Sequence, residues 1–151
     1  MGLFTCSYNE FKVDMGIPVR ASIGEPKFPV PGYNPERKVL EAAPNWSYLR
    51  ASDAVYEREF YKQINTYGVD NFRKAFARIR ATEGVADDYP LVLLCYEKLG
   101  KKQISEPEES RAVEELTCHR RMFAYWWEEQ TGEVIRELGT MPKLKTQTEL
   151  F

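Results

Sequence analysis

Hydrophobic residues fall along the chain in short blocks between polar segments, and the spacing within each block predicts a secondary structure. Leu3 to Ser7 is a short apolar stretch that suits an early buried strand, and Ile17 to Ile23 is a second candidate strand. The run from Leu91 to Cys95 is apolar at every position, which is typical of a strand buried on both faces of a parallel sheet. Glu133 to Leu138 is predicted as a last strand.

Helical signals lie between these strands. Ser52 or Asp53 is a candidate N-cap for a helix through about Tyr67. Asp70 is a candidate N-cap for the next helix, whose apolar residues recur at helical spacing: Phe72, Ala75, Phe76 and Ile79. Thr117 is expected to cap a third helix from Cys118 to Gln130, with Gly132 at its end.

Two other segments have distinct patterns. Four prolines between Gly24 and Pro35 predict a long loop that runs to about Trp46. The capping-box sequence Ser105-Glu106-Pro107-Glu108 predicts a short acidic helix to about Leu116. From Gly139 onward the chain has no apolar period, so residues 139–151 are expected to be a mobile tail.

The alternation of strands and helices predicts the fold class. We expect one Rossmann-like α/β domain over residues 1–138, with a mostly parallel sheet and helices on both faces. In such sheets ligands bind beyond the carboxyl ends of the strands. That rule indicates three segments as candidates for the site: Cys6-Ser7-Tyr8, the Gly24-Glu25-Pro26 turn and Cys95-Tyr96-Glu97.

Composition narrows the classes of partner. The 151 residues carry a net charge of −2, which gives no general attraction to nucleic acid and leaves only a local basic patch as a way to bind it. No apolar run approaches the roughly 20 residues that span a bilayer, and the first residues do not resemble a secretion signal, so we expect a cytoplasmic protein without a membrane partner. Three cysteines, an odd number, argue against a disulfide framework.

The start of the third predicted helix, Cys118-His119-Arg120-Arg121, combines groups suited to chemistry. The first N–H groups of a helix attract anions, and arginine adds a fork of donors for phosphate or carboxylate. The same field favours the thiolate of a cysteine in the first turn. His119 is the one histidine of the chain and is suited to proton transfer near neutral pH.

The strand that ends at Cys95 supplies the second candidate group. Residues two apart in an extended chain share a face, so the side chains of Cys95 and Glu97 are expected to face the same cleft. A thiol, a carboxylate and an imidazole are sufficient for nucleophilic or acid–base chemistry. Each of these residues also has a purely structural interpretation, as a buried thiol, a surface carboxylate or a hydrogen-bonded histidine. The spacing does not match the paired ligands of a structural zinc site, so we expect no metal and no other cofactor.

The quoted residues also match a known pattern. Thr5-Cys6-Ser7-Tyr8, Leu93-Leu94-Cys95-Tyr96-Glu97 and Cys118-His119-Arg120-Arg121, followed by Trp126 and Gly132, resemble the domain-of-unknown-function family 488. The resemblance covers most of the chain from Leu3 to about Leu138 and implies a Rossmann-like domain of bacterial, archaeal or phage origin. It also implies that Cys95, Glu97, Cys118, His119 and Arg120 line one pocket. The sequence departs from the pattern at Cys6, where the family more often has a serine-type residue, and at residues 98–117, which insert the acidic helix.

Three hypotheses about function follow. The first is an enzyme that acts on a nucleotide or nucleic-acid base, with Cys95 or Cys118 as nucleophile, His119 and Glu97 moving protons, Arg120 holding a phosphate, and aromatic residues such as Tyr8 and Tyr96 stacking on the base. The second is a binding protein without chemistry, which senses a small anionic nucleotide or inhibits another protein. The third is a redox sensor that forms a Cys95–Cys118 disulfide.

Overall fold

Four parallel strands form the centre of the structure. The computed structural model describes residues 2–96 and 118–139. The strands are β1 (Leu3–Ser7), β2 (Ile17–Arg20), β3 (Leu91–Cys95) and β4 (Arg136–Glu137), in the order β2-β3-β1-β4. Because every neighbouring pair is parallel, the carboxyl ends of all four strands lie at the same edge of the sheet. The prediction of an α/β domain with a parallel sheet is confirmed.

Within the described residues, three α-helices cover one face of this sheet: α1 (Asp53–Tyr67), α2 (Val69–Glu83) and α3 (His119–Thr131). Two single turns of 3₁₀ helix, Val13–Met15 and Leu40–Ala42, lie in the connections. The helices and the strands share one hydrophobic core that is dominated by aromatic side chains: Phe60, Phe72, Phe76, Phe123, Trp126 and Trp127. All six rings are buried, so they fill the core and do not form a stacking surface.

The alternation of side chains along β3 divides its residues between two environments. Leu91 and Leu93 belong to the core beneath the helices, whereas Val92 and Leu94 belong to a second cluster on the opposite face. That second cluster also contains Cys6 of β1 and buried residues of the connecting loops: Tyr8, Phe11 and Val30. By the same alternation Cys95 faces the helices, whereas Cys6 faces away from them.

Several element boundaries differ from the sequence predictions. The second strand ends at Arg20 rather than Ile23, because the Arg20 guanidinium donates to the carbonyls of Ser22 and Ile23 and the chain turns there. Helix α2 begins at Val69, and Gly68 takes the N-cap position predicted for Asp70. The Gly68 N–H closes α1 on Ile64 while its carbonyl accepts from Phe72, so the two helices meet at a single residue.

The last helix is shifted by one residue from its prediction, and the last strand is shorter than expected. Cys118, rather than Thr117, is the N-cap of α3, and Gly132 ends that helix as predicted. The final strand pairs with β1 only through Arg136 and Glu137. The predicted acidic helix from Ser105 and the predicted tail from residue 140 onward lie outside the described residues. None of the described helices is both long and apolar enough to span a membrane.

Candidate active site

The end of β3 and the start of α3 meet at the carboxyl edge of the sheet. Cys95 is the last residue of β3 and lies beside Ser7, the last residue of the adjacent strand β1. The Sγ atoms of Cys95 and Cys118 are 4.0 Å apart, although 22 residues separate the two cysteines in the sequence. Both thiols are buried, and no disulfide joins them. The structure therefore brings these two segments together, as predicted.

The Arg120 side chain joins the two sulfurs to a carboxylate. Its Nη1 donates to Cys95 Sγ at 2.9 Å and to Cys118 Sγ at 3.5 Å. Its Nε and Nη2 donate to the two oxygens of Glu137, at 2.8 and 3.1 Å. The side chains of Arg120 and Glu137 are 0% and 1% exposed, so this ion pair is removed from water. A bidentate pair of this kind fixes the plane of the guanidinium and hence the direction of Nη1.

Glu137 is a residue of the site that the sequence interpretation missed. It lies on β4 and is paired with Thr5 of β1, whose hydroxyl donates to Glu137 Oε1 at 2.8 Å. The sequence did contain a signal for it, because Ile135 and Glu137 are two residues apart in an extended segment and therefore share a face. Ile135 is buried in the core, so a carboxylate two residues further on is directed inward and requires a buried partner.

Arg121 has a structural role, because its contacts are with groups inside the protein. Its Nη1 donates to the Thr5 hydroxyl at 2.7 Å and to the Ile135 carbonyl at 3.1 Å, and its guanidinium lies 5.1 Å from the centre of the Tyr125 ring. Thr5 therefore connects Arg121 to Glu137. Of the two arginines predicted to bind an anion, Arg120 thus binds an internal carboxylate and Arg121 reaches that carboxylate only through the Thr5 hydroxyl.

His119 lies between the thiol pair and a cavity. Its Nε2 is 2.7 Å from the Ala21 carbonyl oxygen, and because a carbonyl only accepts, Nε2 carries a hydrogen. The ring packs edge-on against Phe60, and a side-chain hydrogen bond also connects it to Cys95. With Nε2 fixed on Ala21, Nδ1 is the nitrogen that remains for proton exchange.

The cavity beside His119 has a volume of about 430 Å³. Its wall combines a turn of backbone after β2, aromatic rings and one carboxylate: Ser22, Ile23, Gly24, Pro44, Trp46, Leu49, Ala51, Asp53, Tyr56, Tyr96 and His119. Trp46 is 69% exposed and Tyr96 is 45% exposed, so two aromatic faces at this cavity are open to solvent. Among these lining residues none is lysine or arginine.

No family model, curated protein or solved structure matches this chain. The resemblance to family 488 thus stays a prediction. What can be said about function rests on the geometry of the chain itself.

The charges around Cys95 favour its thiolate. Burial raises the pKa of the Cys95 thiol, but hydrogen bonds with the Cys118 and His119 side chains and the positive charges of His119 and Arg120 lower it by more. The pKa of Cys95 therefore lies well below its ordinary value of 9.0. For Arg120 burial lowers the pKa, and the negative charges of Cys95 and Glu137 more than reverse this effect, so the pKa is raised.

The pKa of the Cys6 thiol is shifted in the opposite direction. Burial, followed by the charges of Glu137 and Glu10, raises the pKa of the Cys6 thiol from 9.0 to about 12. It lies on the other face of the sheet among apolar side chains. The extra thiol noted as a departure in the sequence is therefore a neutral core residue.

The remaining predicted site residues have separate positions. Ser7 is buried, and its hydroxyl donates to Glu10 at 2.8 Å. The Tyr8 hydroxyl is 2.7 Å from the Ser22 hydroxyl, and its ring contacts that of Tyr96, so Tyr8 supports the cavity wall from behind. Tyr96 lines the cavity. Glu97 lies outside the described residues. Within residues 2–96 and 118–139, no group of three or more His, Cys, Asp or Glu side chains is placed to hold a metal ion.

Proposed function

We propose that this protein is a cysteine- and histidine-dependent enzyme that acts on a nucleotide or nucleic-acid base. Cys95 is the nucleophile and His119 is the group that moves protons. The observation that carries the proposal is the 2.9 Å contact between Arg120 Nη1 and Cys95 Sγ, in a guanidinium whose other donors are held by Glu137. A fixed cation against a sulfur stabilises the thiolate, which is the reactive form of cysteine.

The charges of the buried network support a thiolate independently. The guanidinium groups of Arg120 and Arg121 are both buried, and Glu137 binds Arg120 directly and Arg121 through the Thr5 hydroxyl. Buried charge is costly unless an opposite charge accompanies it. An ionised Cys95 supplies a second negative charge at the point where Arg120 has an N–H directed at sulfur.

His119 is suited to complete a proton-transfer pair with Cys95. Since the Ala21 carbonyl holds the hydrogen of Nε2, the ring takes up or releases its proton at Nδ1. A nucleophile, a base in contact with it and a third group that orients the base form the general arrangement of covalent catalysis. Here the orienting group is a backbone carbonyl at the end of β2.

The cavity supports a base as the part of the substrate that is bound. Its volume of about 430 Å³ lies within the range of roughly 300–1,000 Å³ that is usual for small-molecule sites. Exposed faces of Trp46 and Tyr96 offer stacking surfaces for a flat ring. Asp53 is an acceptor for a ring amino group, and the part of the wall formed by described residues has no arginine or lysine for a phosphate. We therefore expect the base to enter the cavity and any phosphate to remain outside it.

Ligand binding is tested by titrating the full chain with adenosine, guanosine, cytidine and uridine by calorimetry, with inorganic phosphate as the control ligand. At least one nucleoside is expected to bind and phosphate is not. Trp46→Ala is expected to weaken that binding about tenfold or more, because stacking contributes about 1–3 kcal/mol per base. Tyr89→Ala, which removes an exposed aromatic residue that does not line the cavity, is the matched control.

Catalysis is tested on the nucleoside that binds and on its phosphorylated forms. Cys95→Ser is expected to abolish turnover, because serine does not supply the thiolate, and to leave binding nearly unchanged, because Trp46 and Tyr96 supply the stacking contacts. If Cys95→Ser retains full turnover, the nucleophile is assigned wrongly. If the wild type binds the nucleoside and converts none of these compounds, the non-catalytic sensor is the correct function.

A further inference from the structure

We infer that Cys95 and Cys118 form a dithiol pair that reduces a hydroperoxide and closes to a disulfide. The inference goes beyond the proposed function, because it requires the thiol pair but neither the cavity nor a nucleotide. Its basis is the 4.0 Å separation of the two sulfurs and the single guanidinium that donates to both.

The geometry places the two sulfurs within easy reach of a bond. A disulfide has a sulfur–sulfur length of about 2.05 Å, so the sulfurs, now 4.0 Å apart, must approach each other by about 2 Å to form the bond. Cys118 is the N-cap of α3, with an extended backbone, and its side chain makes no capping hydrogen bond. Its sulfur is therefore able to turn toward Cys95 without loss of a helix cap.

Because both cysteines are buried, we expect the disulfide to form within one molecule rather than between two. Cys95 is 0% exposed and Cys118 is 2% exposed. A second protein molecule cannot bring its thiol to such a position, whereas a hydroperoxide as small as hydrogen peroxide reaches sites that a protein cannot. His119, which lines the cavity and hydrogen-bonds to Cys95, marks the side from which a small oxidant approaches.

The chemistry takes place in two balanced steps. In the first, the Cys95 thiolate attacks the hydroperoxide, the O–O bond breaks, and Cys95 becomes a sulfenic acid while the other oxygen leaves with a proton as an alcohol or as water. In the second, the Cys118 sulfur attacks the Cys95 sulfur, the disulfide forms, and the hydroxyl group leaves with the Cys118 proton as water. Two thiols are oxidised by two electrons and one peroxide bond is reduced. A small dithiol restores the pair by exchange and is itself oxidised to a disulfide.

Arg120 has a defined role in this reaction. Its Nη1 donates to both sulfurs, so it keeps them adjacent in the reduced state and favours the negative charge on the attacking one. Cys6 lacks these features, because it lies on the opposite face of the sheet in an apolar cluster. The chain thus contains a control cysteine that is equally buried and that we expect to stay reduced.

The experiment exposes the full, reduced chain to hydrogen peroxide in the absence of any nucleotide. Free-thiol titration is expected to fall from three thiols to one, and peptide mapping without reductant is expected to show a Cys95–Cys118 linkage. Dithiothreitol is expected to restore all three thiols. Cys6→Ala is expected to behave as the wild type.

Two variants separate the steps. Cys118→Ser is expected to accumulate a sulfenic acid at Cys95, which dimedone traps, whereas Cys95→Ser is expected to leave Cys118 as a thiol. Cys118→Ala repeats the test if the serine variant is less stable, and circular dichroism checks the fold of each. A wild type whose Cys95 and Cys118 both stay reduced, or whose disulfide contains Cys6, would overturn the inference. Neither result bears on nucleoside turnover, so this failure is distinct from a failure of the proposed function.

Discussion

Arg120 shows how one side chain sets the chemistry of its neighbours. Three of its nitrogens are used in different directions: Nε and Nη2 on Glu137, and Nη1 on the two sulfurs. Lysine carries the same charge but lacks a rigid planar fork, so it cannot hold a carboxylate in a bidentate pair and a sulfur at the same time. The position therefore requires arginine for geometric reasons as well as for charge.

Replacement of Arg120 tests this requirement. Arg120→Met is expected to lower the free energy of unfolding by about 3–5 kcal/mol, because it leaves the Glu137 carboxylate buried without its partner. Arg120→Lys is expected to cost less stability but to raise the pKa of Cys95 toward its ordinary value, because the N–H directed at sulfur is lost. Urea unfolding measures the first effect, and the ultraviolet absorbance of the thiolate as a function of pH measures the second.

The matched control for this prediction is an exposed ion pair of the same type. Arg73 and Glu133 are 3.0 Å apart, with side chains 50% and 29% exposed. Arg73→Met is expected to change stability by less than about 1 kcal/mol, as is usual for pairs in water. Equal losses of stability in Arg73→Met and Arg120→Met would show that burial does not strengthen the ion pair of Arg120 with Glu137.

At the scale of elements, glycines at helix ends explain where α2 and α3 stop. Gly84 and Gly132 follow these helices with φ values of +71° and +78°, in the left-handed region that side chains disfavour. A Cβ at either position would meet no other atom within 4 Å. The requirement for glycine is therefore one of backbone conformation and not of space, and it fixes the turn that leads from α3 toward β4.

Alanine substitution measures this requirement. Gly84→Ala and Gly132→Ala are each expected to lower the free energy of unfolding by about 1–2 kcal/mol, the usual cost of a left-handed conformation for a residue with a Cβ. Glu129→Ala, on the exposed surface of α3, is the control and is expected to change stability by less than about 0.5 kcal/mol. Chemical denaturation of the three variants decides whether the caps contribute as argued.

At the scale of the whole molecule, the pattern of the sequence predicted the elements better than their partners. The strand that ends at Cys95 and the glycine that ends α3 were found because apolar runs and caps are local signals. The rule for parallel sheets indicated the end of the strand at Cys95, whereas the meeting of Cys95 with Cys118, His119 and Arg120 was expected only from the resemblance to family 488. Glu137 was not found, because its role depends on the pairing of β4 with β1 from the other end of the chain.

The roles of the arginines were harder to predict for the same reason. A local motif shows that Arg120 lies at a helix start, which suits an external anion. The structure instead gives Arg120 an internal carboxylate and two sulfurs, and it gives Arg121 a hydroxyl and a carbonyl. Sequence reasoning identifies donors but not the acceptors that a distant strand brings to them.

Cys95 and Cys6 make opposite contributions to the pH dependence of the stability of the whole molecule. The pKa of Cys95 is lowered in the folded chain, so its contribution is fully present above the unfolded value of 9.0 and is lost as pH falls through the folded value. The pKa of Cys6 is raised to about 12, so its contribution is fully present below 9.0 and is lost as pH rises toward 12. Each slope has a limit of about 1.4 kcal/mol per pH unit.

Unfolding free energies between pH 6 and 10 test both signs. The stability of the wild type relative to Cys95→Ser is expected to rise with pH up to about 9, and that relative to Cys6→Ala is expected to fall above about 9. Tyrosines whose raised pKa has no contribution from either cysteine, such as Tyr61, titrate in wild type and variants alike and cancel in these differences. A flat difference for Cys95→Ser over this range would show that Cys95 is an ordinary thiol.

The strand order has a consequence for how the molecule is made. Among the paired strands of the described residues, the smallest separation in sequence is that between β2 and β3, as for Ile17 and Leu91. The largest is that between β1 and β4, as for Phe4 and Arg136. Contacts so remote along the chain form slowly, whereas α1 and α2 are built from local contacts. We expect a refolding chain to gain helix before it gains sheet. The thiol pair at the end of β3 then becomes reactive only in the last step, after the polypeptide has closed its longest loops.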